Sequence, residues 1–125
     1  MKSLCVLEEN NTHVILGFNG KGSDVALVAY NELARISART KCRRFTFFIV
    51  TNKPSPYYIE DLRYVLQNNI AYTIVMRYEG LDMEKLSRLI DEIKSSGKPL
   101  IGVVESDMEE ISRLLEEKGV QVIRV

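Results

Sequence analysis

His13-Val14-Ile15-Leu16-Gly17-Phe18-Asn19-Gly20-Lys21-Gly22-Ser23-Asp24 reads as an apolar strand, a glycine-rich turn and the start of a helix. The strand, His13 to Phe18, has no polar face, which predicts that helices cover it on both sides. The glycines at 17, 20 and 22 let the backbone turn sharply and approach a ligand closely. A long helix is expected from Val25 to about Arg39, with Ser23 or Asp24 as its cap. A strand, such a turn and a helix N-terminus together form an anion cradle, because unpaired N–H groups point outward there.

Outward from this stretch, short β-rich runs alternate with helical periods. Leu4 to Leu7 and His13 to Phe18 flank Glu8-Glu9-Asn10-Asn11-Thr12, which reads as a hairpin loop with an antiparallel first strand. Further strands are expected at Phe45 to Val50, Ala71 to Met76, Leu100 to Val104 and Val120 to Arg124. Between them run three apolar stripes at helical spacing: Ile59, Leu62, Val65 and Leu66; Leu86, Leu89, Ile90 and Ile93; Met108, Ile111, Leu114 and Leu115. Ser55-Pro56 reads as a cap followed by proline at the first helical position, and Ser106 with Glu109 as a capping box. Gly97 before Pro99, and Gly119 after Lys118, read as helix stops. The first helix is apolar on more than one face, so it is expected to be deeply buried or to lie at a subunit contact.

Repeated strand–helix–strand units imply a parallel sheet with right-handed crossovers. The expected fold is a single α/β domain over residues 1–125, Rossmann-like or flavodoxin-like in three layers. Its sheet would be mainly parallel, with about five to six strands and an N-terminal β-hairpin.

Composition sets the outer limits of function. With 125 residues the chain can bury roughly two thirds of its unfolded surface. Seventeen basic and seventeen acidic side chains cancel, so no global field favours nucleic acid or a membrane surface. Cys5 and Cys42 are too few for a disulfide scaffold and lack metal-ligand spacing. Glu8-Glu9 interrupts the early apolar run, and no run reaches the ~20 residues of a membrane span. The chain is therefore expected to be cytoplasmic, and the excess of apolar positions on the first helix, with the N-terminal edge strand, predicts a homodimer. The scarcity of glutamine beside abundant Lys, Glu, Ile and Val is the bias seen in thermophiles.

Ligands of open parallel sheets bind beyond the carboxyl ends of the strands, where strand order reverses. The residues that follow each strand are accordingly the candidates: Asn19, Gly20, Lys21, Gly22, Ser23 and Asp24; Thr51, Asn52, Lys53 and Ser55; Arg77, Tyr78 and Glu79; Glu105, Ser106 and Asp107. Lys21, Lys53 and Arg77 would converge on a small anionic ligand, while Asp24, Glu105 and Asp107 would hold Mg²⁺ or accept from a ribose. The turn is not a P-loop, since Gly22 follows Gly20-Lys21 and Ile15 stands at the first glycine position. It is not the dinucleotide fingerprint either, because Val25 occupies the third glycine position and Thr51-Asn52 replaces the expected acidic residue.

Glu105-Ser106-Asp107 resembles the acidic pair at a strand end in Toprim-type domains, with Glu8 or Glu9 as the glutamate of their first strand. The resemblance implies Mg²⁺-dependent phosphoester chemistry. His13, the single histidine, starts its strand and so lies roughly 17 Å from the strand's far end. That distance argues against a Ser-His-Asp or Cys-His arrangement there. Arg35, Arg39, Lys41, Arg43 and Arg44 form the one basic cluster, a docking segment for an acidic partner or simply a solvated helix end. The leading expectation is a domain that binds a phosphorylated small molecule or nucleotide at the glycine turn. The alternatives are a Mg²⁺-dependent phosphoester hydrolase and a protein-interaction module.

Overall fold

A computed structural model of the chain describes residues 12–20, 22–40, 44–51, 73–78 and 80–125. Strand β1 spans Thr12–Gly17 and helix α1 Gly22–Thr40, followed by β2 at Arg44–Val50 and β3 at Thr73–Tyr78. Helix α2 is Met83–Ser95, β4 Leu100–Val104, α3 Glu109–Glu117 and β5 Gln121–Arg124. The expected hairpin strand at Leu4–Leu7, the Ile59–Leu66 stripe with its Ser55-Pro56 cap, and both cysteines lie outside the described residues.

The described strands form one parallel sheet in the order β3-β2-β1-β4-β5. Strand β1 is central, and all six of its residues are buried. Because successive side chains point to opposite faces, Val14 and Leu16 join Phe45, Phe47, Ile49 and Val103 beneath Val25, Ala26, Ala29 and Leu33 of α1. Ile15, Phe48, Val50 and Val104 face the other way, under Leu86, Ile90 and Ile93 of α2 and Ile111 and Leu115 of α3. Helices therefore cover both faces, as the unbroken apolar runs require. Among the described side chains of α1, Leu27 lies on the outer side and is 54% exposed.

Local chemistry explains most boundaries. Asp82 is the N-cap of α2, and its Oδ1 accepts from the N–H groups of Glu84 and Lys85 at 3.1 and 3.2 Å. Gly97 and Gly119 adopt φ of 74° and 79°, the left-handed turn that ends a helix. At the end of α3, Gly119 N–H donates to Glu116 O and Val120 N–H to Leu115 O, the paired bonds of a Schellman motif. The expected capping box is not formed. Met108 stands at the N-cap of α3 with no side-chain bond, and the Ser106 hydroxyl donates instead to Val125 O at 2.6 Å. Helix α1 starts at Gly22, so Ser23 and Asp24 occupy its first turn and do not precede it.

Gly102 fixes how closely α3 approaches the sheet. A Cβ at this position would lie 2.7 Å from Leu115 Cδ1, the end of a fully buried side chain that would have to shift. We expect Gly102→Ala to destabilise the domain by about 1–3 kcal/mol in urea unfolding. The cost should shrink when Leu115→Ala is made first, because the pair share one contact. Equal costs in both backgrounds would show that the Cβ meets something else.

Candidate functional site

Because all described strands are parallel, their carboxyl ends lie along one edge of the sheet. Strand order reverses at β1: β2 and β3 lie to one side, β4 and β5 to the other. The turn after β1 and the loop after β4 are therefore neighbours, although their residues are far apart in sequence. Glu105 N–H donates to Gly17 O at 2.8 Å, which carries the β1–β4 pairing one step past the strand ends.

Glu105 is the centre of this junction. It is buried, 4% exposed, yet it is a carboxylate. Its Oε1 accepts from the N–H groups of both Asn19 and Gly20, at 3.1 and 2.8 Å. Its carbonyl accepts from Met108 N–H at 3.0 Å, just before α3. One residue thus joins the end of β4, the turn after β1 and the start of α3. A buried carboxylate without such donors would be strongly unfavourable, and two charge-assisted bonds offset its desolvation. Two N–H groups of the glycine turn thus converge on one oxygen of the chain's own Glu105 side chain.

The remaining predicted residues are distributed along the same edge. Asn19 is half-buried, with its Oδ1 buried and lacking a hydrogen-bond partner. Gly20 is exposed, and a Cβ there would meet nothing within 4 Å. Gly22 is buried at the first position of α1, and Asp24 is exposed in that turn. Thr51 is buried directly after β2, next to the Phe18 N–H bond to Val50 O. Lys21, Asn52 and Lys53 lie outside the described residues, as does Glu79. Arg77 departs from expectation, because β3 runs to Tyr78 and makes Arg77 a strand residue. It is level with Phe48 and Ile15, and its guanidinium sits 5.2 Å from the Phe48 ring centre. It is therefore set back from the edge on the α2–α3 face.

Asp107 is exposed in the loop beside Glu105. Among the described residues, no three His, Cys, Asp or Glu side chains come together as a metal site. His13 is buried near the amino end of β1, stacked on Phe48 with ring centres 5.8 Å apart, away from the edge as its sequence position implies. Of the basic cluster, Arg35 pairs with Glu32 one helical turn back, through both Nε and the terminal nitrogen.

Next to the junction lies a cleft of about 410 Å³, which no motif in the sequence announces. Asn19 forms one wall, Leu81 and Met83 at the start of α2 another, and Asp107 to Ile111 at the start of α3 the third. Its floor is apolar and its rim offers acceptors. Glu109 is tied to Arg124, which also bonds Glu116, and these bonds raise the Arg124 guanidinium above its ordinary pKa. The signal that could have located the cleft is a pairing of two helix starts, at Asp82 and Met108, on one face of the sheet.

The junction makes a stability prediction. Glu105→Ala leaves two inward-facing N–H groups without their acceptor and should cost on the order of 3 kcal/mol. Glu105→Gln keeps an acceptor oxygen but loses the charge, and should cost about 1 kcal/mol. Denaturant titration of both variants measures the order, and equal losses would mean that these bonds contribute little. No protein-family model matches the chain, nor does any curated protein or solved structure compared with it.

Proposed function

We propose that this chain is a Rossmann-like binding domain that takes a nucleotide or another phosphorylated small molecule at the carboxyl edge of its sheet. The observation that carries the reading is the reversal of strand order at β1, which sets the glycine turn beside the loop after β4. That is where open α/β sheets take ligands, and the order β3-β2-β1-β4-β5 favours the dinucleotide-binding architecture over the flavodoxin-like one.

Since Glu105 occupies the N–H groups of Asn19 and Gly20, the phosphate meets the first turn of α1 and the Lys21 ammonium. The first-turn N–H groups of a helix have no partner four residues back, and its dipole favours an anion there. Asn52 and Lys53 orient the rest of the ligand from the neighbouring strand end. The cleft by Asn19 supports the same reading: Met83, Met108 and Ile111 offer it an apolar floor.

The test is thermal unfolding against nucleoside mono- and diphosphates, dinucleotides and sugar phosphates, with and without Mg²⁺. A ligand at a hundred times its dissociation constant adds about 2.7 kcal/mol, readily seen in a domain of this size. Lys21→Glu should abolish the shift while leaving unfolding of the free protein unchanged. A blank across the panel, or an undiminished shift in Lys21→Glu, overturns the assignment.

A further inference from the structure

The starts of α2 and α3 border the cleft of about 410 Å³ on one face of the sheet. Its floor is apolar and adaptable: Met83 opens α2, Met108 is the N-cap of α3, and Ile111 follows in the first turn. Leu81 stands at the mouth with 41% of its surface exposed. Its exposure continues the floor outward, and an apolar concavity rimmed by polar groups is the form of a ligand groove. The rim is of one sign. Asp107, Glu109 and Glu110 line the α3 side, and Asp82 and Glu84 flank Met83 on α2. Carboxylates accept hydrogen bonds and donate none, so the group they recognise is a donor, best a positively charged one.

We infer that this cleft is a site for a small organic cation: an amine or guanidinium carried on an apolar body, with the body against Met83 and Met108 and the charge at the α3 rim. Three walls and a volume of this size suit a small molecule and not a strand or helix of a protein partner. Glu109 is held by Arg124 at 2.6 Å, which offsets part of its charge. Glu110, exposed one residue on, is therefore the carboxylate on which the assignment turns. Acidic residues in a first turn also complement the helix dipole, but a helix N-terminus carries only about half a positive charge, so the carboxylates outweigh it and the rim stays negative. Dipole stabilisation also gives no reason for an apolar hollow beneath the acids. The inference rests on the cleft alone and stands whether or not a phosphate binds the neighbouring turn. A nucleobase entering the cleft would meet the same rim with its amino group.

Methyl NMR of protein with isotope-labelled methionine methyl groups tests this, with Met83 and Met108 assigned through Met83→Leu and Met108→Leu. Titration with phenethylamine should shift both methyl signals to saturation. Phenylacetate, an anion of similar size and shape, should leave both in place. Glu110→Lys, a change at an exposed side chain, should weaken phenethylamine binding by at least about tenfold. Added salt should weaken it in the wild type. Should Glu110→Lys fail to fold, Glu110→Gln carries the comparison, with a smaller loss in the same direction. Phenylacetate moving the two methyl signals as far as the amine does would show a cleft without charge preference and overturn the proposal. So would methyl signals that the amine leaves in place, or an affinity that neither Glu110 variant changes.

Discussion

The architecture depends on the burial of β1 on both faces. Its residues alternate between α1 on one side and α2 with α3 on the other, so neither face of the strand meets water. From Val14 to Leu16 the strand is accordingly apolar on both faces, and its neighbours are brought alongside by helical crossovers that make them parallel. The parallel arrangement has a further consequence. All described strands end at the same edge, so polar groups excluded from the layers collect there. Position, more than any motif, makes that edge the candidate site.

Within the edge, one electrostatic requirement organises the turn. The N–H groups of Asn19 and Gly20 turn inward where β1 gives way to α1, and a buried donor needs an acceptor. Glu105 supplies it from the adjacent strand. Asp82 does the same for the start of α2, with one carboxylate oxygen bonded to two backbone N–H groups. The difference is in sequence distance: Asp82 serves residues two and three places away, Glu105 residues in the turn that follows another strand. The first kind of contact is local and also found in isolated helices. The second exists only when β1 and β4 pair.

Several elements were legible residue by residue. The Leu86, Ile90 and Ile93 stripe is buried in α2, and Ile111 and Leu115 are buried in α3, because a 3.6-residue period leaves one face for the sheet. Gly97 and Gly119 end their helices as read, since positive φ is a property of the local backbone. The misreadings share a cause. Ser106 and Glu109 satisfy the spacing of a capping box, but the Ser106 hydroxyl finds Val125 O across the β4–β5 edge, and Glu109 finds Arg124. Arg77 reads as a loop cation after an apolar run, yet it pairs with Phe48 in the sheet and its guanidinium lies over that ring. Gly102 carries no local signal, because its smallness serves a helix that follows in sequence and packs over it.

The amino-acid sequence by itself determined the alternation of strands and helices, the two-sided burial of the central strand and the stops of its helices. Each follows from side-chain periodicity or backbone preference over a few neighbouring residues. Only the tertiary structure decided the strand order, the place of the cleft and the role of Glu105. These depend on which residues become neighbours once the sheet is assembled, and a carboxylate has no fixed use until its surroundings are known. At the end of a strand the same side chain can hold a metal, meet a sugar or satisfy a turn. Here the inward N–H groups of Asn19 and Gly20 made the choice.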